Sequence, residues 1–237
     1  MRWVAGLLLA AAPALAGGFW NKKPFPGWSR QQVIELLTRS PWAESETVLF
    51  DFREAGPQRP VTWKDLGVPG NGQGPTITGG SPVGGIGAPK TKDKIEAQIN
   101  VRWSSALPVR QATALTKFGR EGLEEPGAKE LLEDRPKFYV LEISGVPAAV
   151  AYSGIPVMQA DLYRDLRLVT GRGRAIRPES VYITPKGATL NIAIRFRKHP
   201  PITLKDKTLE IRIQYDLLKI KRKWKLREMV YRGKLEL

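Results

Sequence analysis

Three stretches of this chain alternate apolar and polar residues with a period of two, and that pattern limits the fold more than any other feature. IEAQINVRW (95–103) sets Ile95, Ala97, Ile99, Val101 and Trp103 against Glu96, Gln98, Asn100 and Arg102. TLEIRIQY (208–215) turns Leu209, Ile211, Ile213 and Tyr215 to one side. In 218–227, Leu218, Ile220, Trp224 and Leu226 share one face. Lys219, Lys221, Lys223, Lys225 and Arg227 share the other, and Arg222 is the only misfit. Side chains of a strand point to opposite faces in turn, so each stretch reads as a half-buried β-strand. A helix over 217–230 would gather Leu217, Ile220 and Trp224 but leave Leu218 and Leu226 off its face. The apolar phase moves from odd to even numbers near Asp216-Leu217, which predicts a turn or bulge there.

Other segments fit the same plan. FYVLEIS (138–144) reads as a strand, and so does DLYRDLRLVT (161–170). VYITPKGATLNIAIRF predicts a hairpin turning at Pro185-Lys186-Gly187. MVYRGKLEL closes the chain. Three helices are expected. Ser29 and Gln32 have capping-box spacing ahead of Val33, Leu36 and Leu37, and Pro41 ends that helix. A second begins near Pro108 and stops at Gly119, with Val109, Ala112, Leu115 and Phe118 at helical spacing. A third covers Pro126–Asp134. The fold class is therefore α+β: a mostly antiparallel sheet with two or three short helices on one face. Trp103 and Trp224 are in phase with buried faces and read as core. Trp20, Trp28 and Trp42 read as anchors of the N-terminal helix rather than as a stacking platform.

The chain begins MRWVAGLLLAAAPALAGGFW. A basic residue, a short apolar run and Ala14-Leu15-Ala16 have the order of a cleaved signal peptide, residues 1–16. The apolar run is short for a membrane span of about 20 residues. The expected location is exported, periplasmic or extracellular, in a bacterium. With no cysteine, the protein has no disulfide, no lipid-bearing cysteine and no thiol chemistry. Residues 17–54 read as a helical segment docked on the main body. Residues 55–92 are rich in Gly and Pro and read as a loop or linker. Residues 93–237 read as an α+β domain ending in a β-meander. Gly70, Gly72 and Gly74 do not continue as a dinucleotide or phosphate loop, and no other cofactor signature is present.

Charge is concentrated at one end. The net charge is +15. Residues 160–237 carry 20 Lys and Arg against 8 Asp and Glu, a balance of +12. Residues 17–159 carry 17 against 15, a balance of +2. A field of one sign attracts polyanions and also aids solubility. Export turns the partner question away from nucleic acid and toward the envelope: anionic lipid, lipopolysaccharide or acidic polysaccharide, or a protein partner. The candidate binding residues are Lys219, Lys221, Lys223, Lys225 and Arg227. The competing explanation is that lysines on an exposed strand discourage edge-to-edge pairing.

Three motifs carry a family resemblance. SPWA after the first helix, VRWSSALPVRQA after a strand and LREMVYRGKLEL at the C-terminus together resemble a family of uncharacterised secreted bacterial proteins. The motifs are scattered from about residue 20 to the end of the chain. The resemblance implies export and one shared architecture. It brings no activity, substrate or catalytic residue, and it does not extend to the Gly/Pro-rich stretch.

Signals for catalysis are sparse. His199 is the single histidine and sits between Lys198 and Pro200 in a predicted loop. No G-x-S-x-G or S-x-x-K accompanies it. One His without Cys is a poor zinc set, and no calcium-loop spacing occurs. A carboxylate pair could serve an envelope hydrolase, with Asp161 and Asp165 as local candidates. The sequence thus favours a non-catalytic binding protein. A carboxylate hydrolase and a structural subunit of an envelope assembly are the alternatives.

Overall fold

The protein is described here from a computed structural model covering residues 18–52, 94–133 and 136–237. The expected signal peptide and the Gly/Pro-rich segment 55–92 lie outside the described residues.

In chain order, the first elements are α1 (Phe19–Lys22), α2 (Arg30–Thr38), β1 (Arg39–Ser40), β2 (Ala43–Asp51) and β3 (Lys94–Trp103). They are followed by α3 (Leu107–Phe118), α4 (Pro126–Glu133), β4 (Phe138–Pro147) and α5 (Ile155–Asp165). The remainder is strand: β5 (Arg167–Thr170), β6 (Ala175–Ile176), β7 (Ser180–Lys186), β8 (Thr189–Arg197), β9 (Thr208–Tyr215), β10 (Leu218–Lys225), β11 (Val230–Tyr231) and β12 (Lys234–Leu235). The fold is α+β with antiparallel sheets. One sheet has the order β1-β2-β3-β4-β8-β7, and a second has the order β10-β9-β5-β6. β11 and β12 form a two-stranded ribbon.

The alternation explains why there are two large sheets. Ile99, Val101, Trp103, Leu141, Ile143, Ile192, Ile194 and Phe196 from the first sheet are buried. So are Leu168, Leu209, Ile211, Ile213, Leu218, Ile220 and Trp224 from the second, and all belong to one core. Each sheet therefore covers the other's apolar face. The contact is direct where the Trp103 and Trp224 rings meet edge to face, with centroids 5.2 Å apart.

Helices close the remaining sides. The Ser29 capping box forms in both directions, with Gln32 N–H donating to Ser29 Oγ at 3.2 Å and Ser29 N–H to Gln32 Oε1 at 2.9 Å. α2 packs on α3, and α3 on α4. α5 packs against β7 and β9, with Met158 and Leu162 buried at i, i+4 spacing. The strand expected over 161–170 is corrected here: Asp161–Asp165 are helical, and only Arg167–Thr170 pair in a sheet. DLYRDL satisfies both periods, and a short run cannot separate them. The deciding signals lie upstream, in Gly154 and in Pro156 at the first helical turn.

The phase shift at Asp216-Leu217 is a two-residue hairpin. Tyr215 pairs with Leu218, so odd positions of β9 face even positions of β10. Asp216 takes a positive φ of 46°, a conformation that Asp tolerates better than most residues. β10 ends at Lys225, and a single 3-10 turn follows over Leu226–Glu228. Arg227 is thus corrected from the strand's cationic row to the turn beyond it. The cause lies in the partner strand: Leu226 is still buried and its N–H still bonds the Lys207 carbonyl at 2.9 Å, but before Lys207 the partner chain is a 3-10 turn over Leu204–Asp206, so Arg227 has no strand to pair with.

The chain termini of the described region are tied together. Trp20 and Trp42 rings lie 5.5 Å apart, and Tyr231 sits 6.5 Å from both Trp28 and Trp42. Trp42 Nε1 donates to the Glu236 carbonyl at 2.8 Å, and Tyr231 Oη donates to Gln111 Oε1 at 2.8 Å. Leu107 N–H donates to the Glu236 carboxylate at 3.2 Å, and Trp103 N–H to the Trp42 carbonyl at 2.8 Å. The motifs SPWA, VRWSSALPVRQA and LREMVYRGKLEL are therefore one packed unit. Their residues hold the ends of the fold together.

Candidate functional site

The second sheet presents its outer face as a field of cations. Register places Lys219 opposite Gln214, Lys221 opposite Arg212, Lys223 opposite Glu210 and Lys225 opposite Thr208. On the far side of β9, Arg167 of β5 stands opposite Arg212, and Val169 opposite Glu210. Directly paired residues share a face, so Lys221, Arg212 and Arg167 form one line across three strands. Like charges directly opposite one another weaken a sheet, and here two such pairs adjoin.

Partners for these cations are few. Arg212 Nε donates to Glu210 Oε1 at 2.6 Å. Lys225 Nζ reaches Glu228 at 3.2 Å. Arg167 Nη1 donates to the carbonyls of Arg164 and Leu166 at 2.8 and 2.6 Å, which closes the C-terminal end of α5. Among the described residues, Lys219, Lys221 and Lys223 have no ion-pair partner. Glu210 is held below the usual carboxylate range, first by the hydrogen bond from Arg212 and then by the charges of Arg212, Lys221 and Lys223. The four lysines and Arg227 are exposed. The structure brings the lysines together on β10 and adds Arg212 and Arg167, which sequence reading did not single out. Only the register reveals them, although the lone acid among the outward residues of β9 was visible.

Arg222 behaves differently from its neighbours. It points inward, where its guanidinium approaches Glu44 Oε2 at 3.3 Å and pairs with Glu46. Both acids lie on β2 of the opposite sheet. The one misfit in the alternation is thus an ion pair between sheets, shielded from most solvent at the arginine end.

The face is not flat. A recess of about 510 Å³ opens over β5 and β9 beside the end of α5. Arg167, Val169, Gly171, Thr208, Arg212 and Lys223 line it together with Asp165 and Glu210, and Glu210 stands on the middle strand between Val169 and Lys223. Gly171 lets the wall close in: a Cβ there would lie 2.6 Å from the Asp206 carbonyl oxygen and 2.7 Å from Thr208 Oγ1. A smaller recess of about 250 Å³ between α3 and α4 contains Arg110, Lys117 and Glu130.

The proposed carboxylate pair has a local role. Asp161 and Asp165 both grip Arg164, each with an oxygen 2.8 Å from Nη2. The hydrogen bond from Arg164 holds the Asp165 carboxyl below its ordinary range. A carboxylate kept ionised in this way is a poor proton donor near neutral pH. His199 is exposed in the loop after β8. Among the described residues, no cluster of three His, Cys, Asp or Glu is placed to hold a metal ion. No helix among them is long and apolar enough to cross a membrane.

Comparison with known proteins finds no family model, no curated protein and no solved structure that matches this chain.

Proposed function

We propose that this is an exported, non-catalytic binding protein of the bacterial envelope that engages an anionic envelope component through the outer face of β10, β9 and β5. The observation that carries the reading is the cross-strand line Lys221–Arg212–Arg167. Glu210 neutralises Arg212 from within the sheet, but Lys221 beside it has no ion-pair partner among the described residues, and like charges in direct register weaken a sheet. Lys219 and Lys223 extend the line along β10 at about 7 Å intervals, so the face suits a surface or chain bearing repeated negative charges.

Lysines that only guard the sheet edge would explain β10, which is the edge strand. They would not explain Arg212 and Arg167, which lie on interior strands. Solubility alone would be served equally well by charges of mixed sign.

The test replaces Lys219, Lys221, Lys223 and Lys225 with Gln in one variant. Wild-type protein should sediment with anionic vesicles or lipopolysaccharide, and binding should weaken as salt rises from about 0.05 to 0.5 M. The variant should keep its circular dichroism spectrum and lose that binding. Equal binding by variant and wild type would sink the reading.

A further inference from the structure

We propose that the recess beside α5 is a site for a phosphate monoester group, held by Arg167 and Arg212, which stand opposite each other across β5 and β9, and by Lys223. The inference rests on the reading of this face as anion-binding and names the chemistry that it selects.

Geometry separates phosphate from carboxylate here. Arg167 and Arg212 are directly paired across β5 and β9, so their Cβ atoms stand about 5 Å apart on one face. One guanidinium fork satisfies the two oxygens of a carboxylate. A phosphate monoester offers three terminal oxygens and nearly two negative charges, enough for two forks and an ammonium together. Both arginines are partly oriented already. Arg167 is held through Nη1 by the carbonyls of Arg164 and Leu166, and Arg212 through Nε by Glu210. Their remaining N–H groups have no other hydrogen-bond partner among the described residues.

The recess is larger than the phosphate it would hold. About 510 Å³ leaves space for the sugar or glycerol that bears the group, within the usual range of ligand sites at about 300–1,000 Å³. The Thr208 hydroxyl and the second oxygen of Glu210, whose Oε1 is held by Arg212, can hydrogen-bond to hydroxyls of such a body. Val169, which is 37% exposed, supplies an apolar floor. Asp165 does not oppose the anion strongly, because its two oxygens are taken by Arg164.

The experiment compares two vesicle types matched for surface charge. One carries phosphatidate, a monoester; the other carries phosphatidylglycerol, a diester. Phosphatidate should bind about tenfold more tightly, since the monoester offers a third terminal oxygen and nearly a second charge to the second fork and the ammonium, and one added charge-assisted hydrogen bond is worth about that factor. Arg212→Lys keeps the charge but not the fork. It should remove the preference, so that phosphatidate and phosphatidylglycerol vesicles bind alike, and Lys223→Gln should reduce the preference in part. Free glycerol 3-phosphate, added to the full protein, separates the possible sources. Shifts in the Val169 and Thr208 amide signals would mean that the group is recognised without a lipid surface. Tight phosphatidate binding without those shifts would assign the site to a lipid headgroup. Equal affinity for the two vesicles, with no shift from glycerol 3-phosphate, overturns the phosphate site but leaves the anion-binding face standing. Failure of both vesicles and of glycerol 3-phosphate to bind removes the face and the site together.

Discussion

The two faces of β10 carry the same kind of residue under opposite conditions. Lys219, Lys221, Lys223 and Lys225 stand in water on the outer face, three of them without an ion-pair partner among the described residues. Arg222, one position out of phase, is drawn inward and answered by Glu44 and Glu46 of the facing sheet. Position on the pleat separates them. An inward cation loses hydration and must be paired, whereas an outward one keeps its water and remains available to a ligand. The inner face should therefore govern stability and the outer face binding.

The largest expected effect is at Trp224. Trp224→Ala opens a hole beside Trp103 and should lower unfolding free energy by about 3–5 kcal/mol. Denaturant titration measures it, and a loss under about 1 kcal/mol would show that the two sheets do not depend on this contact. Arg222→Ala should follow, at about 1–2 kcal/mol, because it empties a largely buried side-chain volume between the sheets and breaks an ion pair whose acids, Glu44 and Glu46, still reach solvent. Arg222→Met should recover most of that loss by filling the same volume. If both variants lose the same amount, charge rather than packing explains Arg222.

Raising the pH should erode the inner core more gradually. Burial pushes Tyr215 up to about 12, with the charge of Asp161 adding to it. Burial also raises Tyr139 and Tyr231. These phenols stay protonated in the fold after they would ionise in the open chain. Stability is thus fully present below about pH 10 and falls as pH rises toward 12. Phenolate absorbance should lag behind free tyrosine and then rise together with loss of the circular dichroism signal. Smallest of all, replacing the four lysines by Gln should change stability by only about 0.5 kcal/mol per site, and the removal of the Lys221–Arg212 repulsion favours a gain. A loss of several kcal/mol in that variant would abolish the distinction between the faces.

Legibility followed locality. The strict alternations of β3, β9 and β10 were plain in the residues, as were the α2 capping box and the hairpin of β7 and β8. A buried face with period two leaves few alternatives. The end of α5 reads as strand because a six-residue run fits both periods, and Arg227 leaves the row because the chain before β9 turns at Leu204–Asp206 and offers it no partner. The candidate site was half visible. The lysine row lies within one strand and follows from its period. Arg212 joins it across the short β9–β10 hairpin, but Arg167 joins only through pairing between strands separated by some 40 residues of sequence.

The sequence by itself determined which residues turn inward and which outward along each strand, because a pleated chain leaves no other way to bury Ile, Trp and Leu in alternation. It also determined that positive charge gathers in the C-terminal third. Tertiary structure decided which strands became neighbours. That choice lined up Lys221, Arg212 and Arg167, set the recess beside the end of α5 and brought Arg222 to its two glutamates. Pairing depends on contacts between distant segments, and no local period encodes them.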